Sequence, residues 1–396
     1  IPKQVVPVFA RFLRPEVEKR LARLAQFSET FEGNVVEEGE GKIGVIASGI
    51  SYQYAKEVFP EAPFLKLGMP YPLPRQKIID FCSKFEKVYV VEENEPFLEE
   101  QIRSFGVTNV VGKEKITPVG ELNPQIVADA LCDTPFPKDY GDEIALLPRP
   151  PMLCVGCGHR GVFYTLRKLD TLVTGDIGCY TLGCLPPYSS LHTTFCMGTG
   201  IGNAFGFEKS IGDKLGNNIA AVIGDSTFIH GGIPSLIDIV YNKGATTVII
   251  LDNKTTGMTG HQDHPGTGLT LRGEPTHKLS FEKLVKSIGV DFVRTVDPYH
   301  LEETETAIKE ALKHKGPAVV IAEHPCTMLR SERAKSRTPY FVDGETCIEC
   351  ELCLEIGCPA LQASEDGPPV IDELLCLGCG MCAQLCELGA LKVTES

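Results

Sequence analysis

The stretch IAAVIGDSTF (residues 219–228) runs from five apolar residues straight into a Gly-Asp-Ser turn. Two later stretches have the same form, TTVIILDN at residues 246–253 and PAVVIAEH at residues 317–324. Short apolar runs bounded by turn residues are typical of strands that are buried on both faces of a parallel sheet. The pattern therefore predicts an α/β domain, and we place its boundaries at residues 151–335.

A similar alternation precedes this domain, between residues 41 and 130. Apolar runs such as GKIGVIASG (41–49) and KVYVVEE (87–93) predict strands, and amphipathic patterns such as SYQYAKEVF (51–59) predict helices. Repeated βα units imply a second parallel sheet that is covered by helices. The predicted fold class is therefore α/β with two parallel-sheet domains, followed by a small cysteine-rich domain at residues 336–396.

Two segments of the chain have the composition of connections. Residues 1–40 contain one amphipathic helix pattern, PEVEKRLARLAQF, between polar flanks, and we interpret them as a linker or arm. Residues 131–150 are rich in Pro and Asp, and we interpret them as a second linker.

Composition and charge narrow the class of protein. The chain has 396 residues, of which 43% are hydrophobic, and this suits a globular protein of two or three domains. Its formal net charge of −14 argues against nucleic acid as a general partner, because phosphate binding depends largely on Lys and Arg. No apolar run is long enough to span a membrane and no signal peptide is visible, so we expect a cytoplasmic protein with reduced cysteines.

Half of the sixteen cysteines lie in the last fifty residues, in two copies of one pattern. The copies are CIECELCLEIGC (347–358) and CLGCGMCAQLC (376–386). Three cysteines at this spacing suit a 4Fe–4S cluster, and in two-cluster ferredoxins the fourth cysteine of each run binds the other cluster. We therefore predict two 4Fe–4S clusters, one bound by Cys347, Cys350, Cys353 and Cys386, the other by Cys376, Cys379, Cys382 and Cys358.

The alternative for these cysteines is zinc, which rarely needs three ligands at such close spacing. Two details depart from the bacterial ferredoxin pattern. Four residues rather than three separate Cys353 from Cys358, and Glu387 stands where a proline is expected after Cys386. Neither change removes a ligand, so the cluster assignment is kept.

Asp225 follows one apolar run, and Asn253 follows the next run 28 positions later. Ligands bind at the carboxyl ends of strands in open α/β sheets, and Mg²⁺ prefers a few protein oxygens together with phosphate oxygens. Gly224 would allow the backbone to approach a diphosphate closely. Taken alone, Gly-Asp-Ser is more typical of a tight turn. The pairing with Asn253 is what favours a magnesium and diphosphate site.

This arrangement resembles the Gly-Asp-Gly…Asn signature of thiamine diphosphate enzymes, with Ser226 where glycine is commoner. The resemblance implies that Asp225, Asn253 and the main-chain carbonyl of Thr255 bind Mg²⁺. The segments LCVGCGHRG, TGDIGCYTLG, CMGTGIGNAFG, GDSTFIHGGIPSLIDIVYN and LDNKTTGMTGHQDHPGTG extend it in this order. Together with the ferredoxin-like tail they resemble the alpha subunits of indolepyruvate ferredoxin oxidoreductases, within the wider family of 2-oxoacid:ferredoxin oxidoreductases.

The resemblance carries further expectations for individual residues and domains. It implies a transketolase C-terminal-like domain at 41–130 and a thiamine diphosphate-binding domain at 151–335. Its glycine-rich segments imply that Gly178 and Gly198 contact the cofactor together with Gly224 and Ser226. His261 lies in a loop that covers the thiazolium in related enzymes, and we take it as the catalytic candidate.

A third 4Fe–4S cluster is also implied by the resemblance. Related enzymes use cysteines in this order to bind a cluster beside the thiamine ring, and the corresponding residues here are Cys154, Cys157, Cys179 and Cys326. The alternative is that Cys179 and Cys326 are buried, small apolar residues without a ligand.

The activity that the resemblance implies is oxidative decarboxylation of arylpyruvates. Thiamine diphosphate would act as electron sink, the clusters would pass single electrons to ferredoxin, and coenzyme A would take the acyl group. The implied partners are a smaller beta subunit and an N-terminal pyrimidine-binding segment or a separate pyrimidine-binding chain, in a hetero-oligomer. In thiamine enzymes the pyrimidine-binding domain supplies the glutamate that activates thiamine. Residues 1–40 are too short to form this domain, so we expect it on a removed or separate segment.

Two other functions remain open at this point. The substrate could be another 2-oxoacid, such as pyruvate or 2-oxoisovalerate, since the sequence alone does not determine the pocket. The chain contains no Trp to stack on an indole, although it has 19 Phe and 11 Tyr. The chain could also be an electron-transfer module with a vestigial thiamine site.

Overall fold

The computed structural model describes residues 6–133, 150–215, 218–335 and 337–393. The chain divides into two compact units, residues 1–146 and 147–396. Most of the predicted linker at 131–150 lies outside the described residues.

The first unit contains one five-stranded sheet with helices on its faces. Its strands are β1 (Val35–Glu37), β2 (Ile43–Ser48), β3 (Phe64–Leu67), β4 (Lys87–Val91) and β5 (Val110–Val111). Its helices are α1 (Pro7–Thr30), α2 (Gly49–Val58), α3 (Arg75–Cys82), α4 (Phe97–Ser104) and α5 (Pro124–Leu131). The strand order is β1-β3-β2-β4-β5, in which β1 pairs antiparallel with β3 and the other pairs are parallel. The segment predicted as an arm thus contributes an edge strand to this sheet.

The central strands of this sheet are buried on both faces. In β2, Val45 and Ala47 pack into one core cluster, while Ile46 between them packs into the other. Alternate residues of a strand point to opposite faces, so a continuous apolar run is what a sheet covered on both sides requires. The predicted parallel α/β fold is confirmed for this unit.

The second unit is built on a six-stranded sheet in which every strand pair is parallel. Its strands are β6 (Leu172–Gly175), β7 (Thr193–Thr194), β8 (Ile219–Gly224), β9 (Thr247–Asp252), β10 (Phe292–Val296) and β11 (Ala318–Glu323). Its helices are α6 (His159–Lys168), α7 (Thr199–Ile211), α8 (Asp225–Thr227), α9 (Ile233–Tyr241), α10 (Phe281–Ile288), α11 (Leu301–Lys313) and α12 (Arg330–Arg333). The strand order is β10-β11-β9-β8-β6-β7.

Strands β8 and β9 form the centre of this sheet, and all six residues of each are buried. Each large apolar side chain that is fully buried there contributes on the order of 1.5–3 kcal/mol. Because all strands run the same way, the residues that follow β6, β8, β9 and β11 meet at one edge of the sheet. The polar residues that follow the apolar runs therefore lie together at the carboxyl edge of the sheet.

The cysteine-rich tail is held by two small antiparallel pairs. Strand β12 (Tyr340–Val342) pairs with β15 (Leu391–Val393), and β13 (Leu361–Gln362) pairs with β14 (Val370–Ile371). The cysteine runs lie in the loops and short 3₁₀ turns between these strands. In the part of the chain that the structure describes, no helix combines the length and the apolar composition needed to cross a membrane.

Candidate functional site

Polar side chains collect at the carboxyl edge of the six-stranded sheet. Asp176 follows β6, Asp225 follows β8, and Asp252 and Asn253 lie at the end of β9. The register places Gly224 opposite Leu251, so the two strands end side by side. Asp225 and Asn253, which the sequence analysis paired, therefore lie at the ends of adjacent strands.

Asp225 is buried and only partly satisfied by hydrogen bonds. Its Oδ1 atom accepts a hydrogen bond from the Ser226 amide at 2.7 Å. Its Oδ2 atom lies 3.1 Å from Nε2 of the buried His264, but the geometry is not that of a hydrogen bond, and neither atom has another partner. An unpaired carboxylate oxygen in the interior is costly and usually indicates a missing cation or water. Asp225 Oδ2 is therefore suited to bind a cation.

Asn253 and Thr255 complete the oxygen-rich side of this place. Asn253 Oδ1 accepts a hydrogen bond from the Thr255 amide at 3.1 Å, which fixes the direction of the amide side chain. Thr255 is buried, and its hydroxyl has no hydrogen-bond partner. One carboxylate, one amide and main-chain oxygens are the ligands that Mg²⁺ accepts, with its remaining positions left for phosphate and water. The residues present fit that ion.

One cavity of about 80 Å³ gathers most of the predicted cofactor contacts. Its lining includes Gly178, Gly224, Asp225, Ser226, Asn253 and Thr255. Gly198 is not part of this lining, although its neighbour Met197 is, and the Gly198 amide donates a hydrogen bond to Asp176 Oδ2 at 2.9 Å. Gly198 has φ +90° and lies within van der Waals reach of Gly231, so a side chain there would be strained.

His261, the predicted catalytic residue, is not part of this lining. Its side chain is exposed and its backbone has a φ of +64°, with its amide bonded to the Thr256 carbonyl at 3.0 Å. The loop instead directs His264 into the interior beside Asp225. Its Nδ1 atom accepts a hydrogen bond from the Gly266 amide, so the proton of neutral His264 is on Nε2, the atom that faces Asp225.

Two further residues at this edge of the sheet were not singled out from the sequence: Tyr180, which lines the cavity, and Asp176, which directly precedes the lining residue Ile177. Asp176 is fully buried and accepts hydrogen bonds from the Tyr180 hydroxyl and the Gly198 amide. Burial raises the pKa of this carboxyl, and those hydrogen bonds oppose the rise. The Tyr180 ring packs over Gly224, where an added Cβ would lie 2.8 Å from it. A signal did exist, because LVTGD before Asp176 repeats the strand-Gly-Asp pattern of AVIGD.

Electrostatics around the cavity are dominated by burial. His159, which lines the cavity, has a pKa lowered to about 4 because burial disfavours its charged form, so it is neutral near pH 7. Asp252 has a pKa raised to about 6 by burial, although the Lys254 ammonium pairs with it. Asp252 does not line this cavity, and Asp225 is the one carboxylate among the described residues that do.

A second cavity of about 80 Å³ lies beside the first. All four cysteines of the implied third cluster line it: Cys154, Cys157, Cys179 and Cys326. His159, Cys179 and Asn253 line both cavities, so the two share a wall. Burial raises the pKa of the Cys157 thiol to about 12, and it also raises those of Cys179 and Cys326. These thiols would have to lose protons to bind iron.

The tail cysteines gather in two further cavities. Cys347, Cys350, Cys353 and Cys386 line one of about 150 Å³. Cys358, Cys376, Cys379 and Cys382 line another of about 20 Å³. The structure thus brings together both predicted quartets, with the fourth cysteine of each run placed in the cavity of the other run. That these quartets bind iron stays a prediction.

Among the described residues, no group of three or more His, Cys, Asp or Glu side chains is arranged so that it could hold a metal ion. Ligands of one ion must all lie within about 2.3 Å of it, even when they are thiolates. A cluster of four irons spreads its thiolates farther apart, so this finding bears on sites for a single ion.

Comparisons with known protein families identify two domains. Residues 176–322 match the C-terminal TPP-binding domain of thiamine pyrophosphate enzymes. Residues 369–392, which contain the second cysteine run, match a 4Fe–4S binding domain. The chain therefore contains a thiamine diphosphate-binding domain and an iron–sulfur domain.

Curated relatives cover almost the whole chain. It is 41% identical to the indolepyruvate oxidoreductase subunit IorA of Archaeoglobus fulgidus, in a match that covers 99% of this chain and 66% of the relative. It is 38% identical to the subunit of the same name from Methanothermobacter marburgensis, with 99% and 67% covered. The chain thus spans about two thirds of the length of these relatives.

Among solved structures, the chain is similar to the 2-oxoglutarate:ferredoxin oxidoreductase of Magnetococcus marinus. The identity is 20%, the match covers 46% of this chain and 67% of that one, and the TM-score is 0.41. A similarity at this level supports no conclusion about the geometry or the substrate of the present chain.

Proposed function

This chain belongs to the family of the indolepyruvate oxidoreductase subunits IorA, and we propose that it is part of an enzyme that oxidises 2-oxoacids with thiamine diphosphate and transfers the electrons to ferredoxin. The preferred substrates are arylpyruvates such as indolepyruvate, and the product is the corresponding acyl-coenzyme A. The alpha subunit would work together with a smaller beta subunit and with a pyrimidine-binding segment or separate chain.

One observation carries the proposal, namely the shared wall between the Asp225 cavity and the cavity of Cys154, Cys157, Cys179 and Cys326. A two-electron oxidation at thiamine must be divided into single-electron steps when the acceptor is ferredoxin. Cys179 lines both cavities, and a cluster bound there would lie directly beside the thiamine site, which suits direct passage of electrons from the one site to the other. The tail then offers two more cysteine cavities for the onward path.

The roles of the chain's own residues follow from their positions. Asp225, Asn253 and the main-chain carbonyl of Thr255 would hold Mg²⁺, and the diphosphate would lie against Gly178, Gly198, Gly224 and Ser226. Thiamine diphosphate, when bound, supplies a carbon nucleophile and an electron sink. The unpaired Asp225 Oδ2 atom supports the assignment of Mg²⁺. His264 would orient that carboxylate, while His261 is available on the exposed loop for contact with substrate.

Three 4Fe–4S clusters are proposed in total. Two belong to the tail quartets, and the third belongs to Cys154, Cys157, Cys179 and Cys326. The grouping of each quartet in its own cavity supports this count. In contrast, Cys184 and Cys196 are exposed and line none of these cavities, so we assign no role to them.

Aromatic substrates are favoured by the apolar side chains at the thiamine cavity. Met197 and Met258 line the cavity, and each residue is more than half exposed. Thioether side chains are flexible and pack favourably against aromatic rings. A carboxylate-bearing substrate side chain, such as that of 2-oxoglutarate, would find no cation among these two residues.

A substrate panel tests the proposal. The holoenzyme, prepared without oxygen, is supplied with coenzyme A and with indolepyruvate, phenylpyruvate, pyruvate or 2-oxoisovalerate, and reduction of ferredoxin or viologen is measured. We expect the two arylpyruvates to give the highest kcat/KM. Reduction with the aliphatic acids alone would instead favour another 2-oxoacid substrate. A protein with full clusters that retains no thiamine diphosphate and oxidises none of the four acids would indicate an electron-transfer module.

A further inference from the structure

Arg160 is a buried cation on helix α6, three residues after Cys157 in the sequence. Its residue surface is 1% exposed, and among the described residues it is the largest side chain that is buried so completely. Arginine is almost never fully buried unless it is paired with an anion. The position therefore needs an explanation that the thiamine site does not provide.

The guanidinium joins two loops that carry cysteines. On one side, it donates to the carbonyls of Leu153 and Cys154, with a distance of 3.0 Å from Nε to the Cys154 oxygen. On the other side, it donates to the carbonyls of Ile356 and Gly357, which directly precede Cys358 in the tail. The same Arg160 side chain thus touches the backbone next to one ligand of the third cluster site and next to one ligand of a tail cluster site.

Tyr188 strengthens this bridge without adding charge. Its hydroxyl accepts a hydrogen bond from Arg160 Nη1 at 3.0 Å and donates one to the Ile356 carbonyl at 2.6 Å. Every oxygen that Arg160 contacts is accordingly neutral, being four carbonyls and one phenol. Within the described ranges, no carboxylate forms an ion pair with it.

Hydrogen bonds engage all three nitrogens of the guanidinium, but they do not cancel its charge. A buried charge is strongly unfavourable unless an opposite charge lies near it. A 4Fe–4S cluster that is bound by four thiolates has a net negative charge, and it gains one more negative charge when it accepts an electron. Two such clusters on either side would supply the missing anions.

We propose that Arg160 is the shared counter-charge of the third cluster and of the tail cluster that Cys358 helps to bind. This inference rests on the proposed function, because it requires that both sites hold clusters. Each one-electron reduction adds negative charge close to a fixed cation, so Arg160 favours the reduced state of both clusters and raises both reduction potentials. Its hydrogen bonds also keep the two sites at a constant separation.

The test is a redox titration of the holoenzyme followed by EPR. The third cluster is identified by the signal that Cys326→Ser removes, and the tail cluster by the signal that Cys358→Ser alters. In Arg160→Met, which removes the charge and keeps an apolar stem, both clusters should become harder to reduce. We expect the ratio of reduced to oxidised cluster at a fixed potential to fall at least tenfold, which is 59 mV for a one-electron couple.

Three comparisons separate charge from structure. Arg160→Lys keeps the charge, and Tyr188→Phe keeps Arg160 but removes the hydroxyl bridge, so both should leave the two ratios within about threefold of the parent. The tail cluster of Cys347, Cys350, Cys353 and Cys386 has no contact with Arg160 and serves as an internal control. If Arg160→Met fails to fold, Arg160→Gln replaces it as the neutral variant.

Unchanged potentials in a folded neutral variant would overturn the inference. A tenfold fall in Arg160→Lys would do so as well, because the charge would then not be the cause, and this result remains available even if both neutral variants fail to fold. If the proposed function itself is wrong, the parent protein would already lack the EPR signal of the third cluster and would contain too little iron for three clusters.

Discussion

Replacing Asp225 by Asn should raise the thermal stability of the cofactor-free protein and lower that of the protein with its cofactor bound. Without cofactor, the parent buries a carboxylate whose Oδ2 atom has no hydrogen-bond partner, and only the misaligned Nε2 of His264 lies close to it. An unsatisfied buried polar group costs about 1–3 kcal/mol, and we use the lower part of this range, about 1–2 kcal/mol, because His264 offers partial compensation. The amide removes the charge and keeps the shape, so the cofactor-free variant should be more stable than the parent.

In terms of melting temperature, the gain should be roughly 2–8 °C for a unit of this size. With Mg²⁺ and thiamine diphosphate at about 100 times the dissociation constant, the parent should gain about 2.7 kcal/mol. The variant should lose most of that gain, since a neutral amide is a poor replacement for the only carboxylate in the proposed Mg²⁺ shell. The order of the two melting temperatures should therefore reverse when cofactor is added.

Scanning calorimetry of both proteins, with and without Mg²⁺ and thiamine diphosphate, measures these four values. Asp263→Asn is the matched control, because Asp263 lies next to His264 in sequence but is exposed. It should change neither the cofactor-free melting temperature nor the shift on binding. A cofactor-free Asp225→Asn protein that is less stable than the parent would refute the reading of Asp225 as an unsatisfied anion. An undiminished shift would refute its role as a ligand.

Three further predictions concern iron and pH. Cys326→Ser should lower bound iron by up to four atoms per chain. Cys184→Ser changes an exposed cysteine outside the cavities and should leave the iron content unchanged. Equal iron in the two variants would show that Cys326 is a buried cysteine that binds no iron. Anaerobically prepared parent protein should bind about twelve irons, and a value near eight would restrict the clusters to the tail. In the first unit, the Tyr52 hydroxyl donates to Glu37 at 2.5 Å and is the main cause that lowers the pKa of this carboxyl. Glu37 therefore stabilises the fold above its ordinary pKa of 4.5, and this contribution is lost as the pH falls through the lowered value. Tyr52→Phe should reduce the free energy of unfolding near pH 7 by about 1 kcal/mol, since the pair is partly exposed, and the difference should shrink below pH 4. Urea denaturation at several pH values checks this, and a difference that does not depend on pH would count against the Glu37 explanation.

The central strands could be predicted from the sequence because they are continuous apolar runs, as in β8 and β9. The edge strands could not, because β10 contains Arg294 and Thr295, and both point to solvent at the margin of the sheet. Such a strand is not a continuous apolar run, so it lacks the feature by which β8 and β9 were predicted, although its Phe, Val and Thr residues favour strands. Strand β1 has only three residues and pairs antiparallel, so it was similarly hidden within a segment interpreted as an arm.

The site was predictable where one short motif contains its chemistry, and not where the fold joins distant residues. Asp225 and Asn253 were recognisable because each follows an apolar run. His264 was not, since its role depends on a loop that turns its ring inward by Asp225, and His261 three positions earlier was the more obvious candidate. Arg160 was also passed over. A charged residue is expected on the surface by default, and only the folded chain shows the neutral oxygens that surround it.

The exchange of fourth cysteines in the tail has a consequence for how this domain can be assembled or altered. Each cavity takes three cysteines from one repeat and one from the other, so neither repeat can complete a site by itself. Each half of the tail therefore depends on the other half for its fourth cysteine. Loading of iron should then be cooperative, with few molecules carrying a single tail cluster. Half of this tail, transplanted to another protein, would arrive without a finished site.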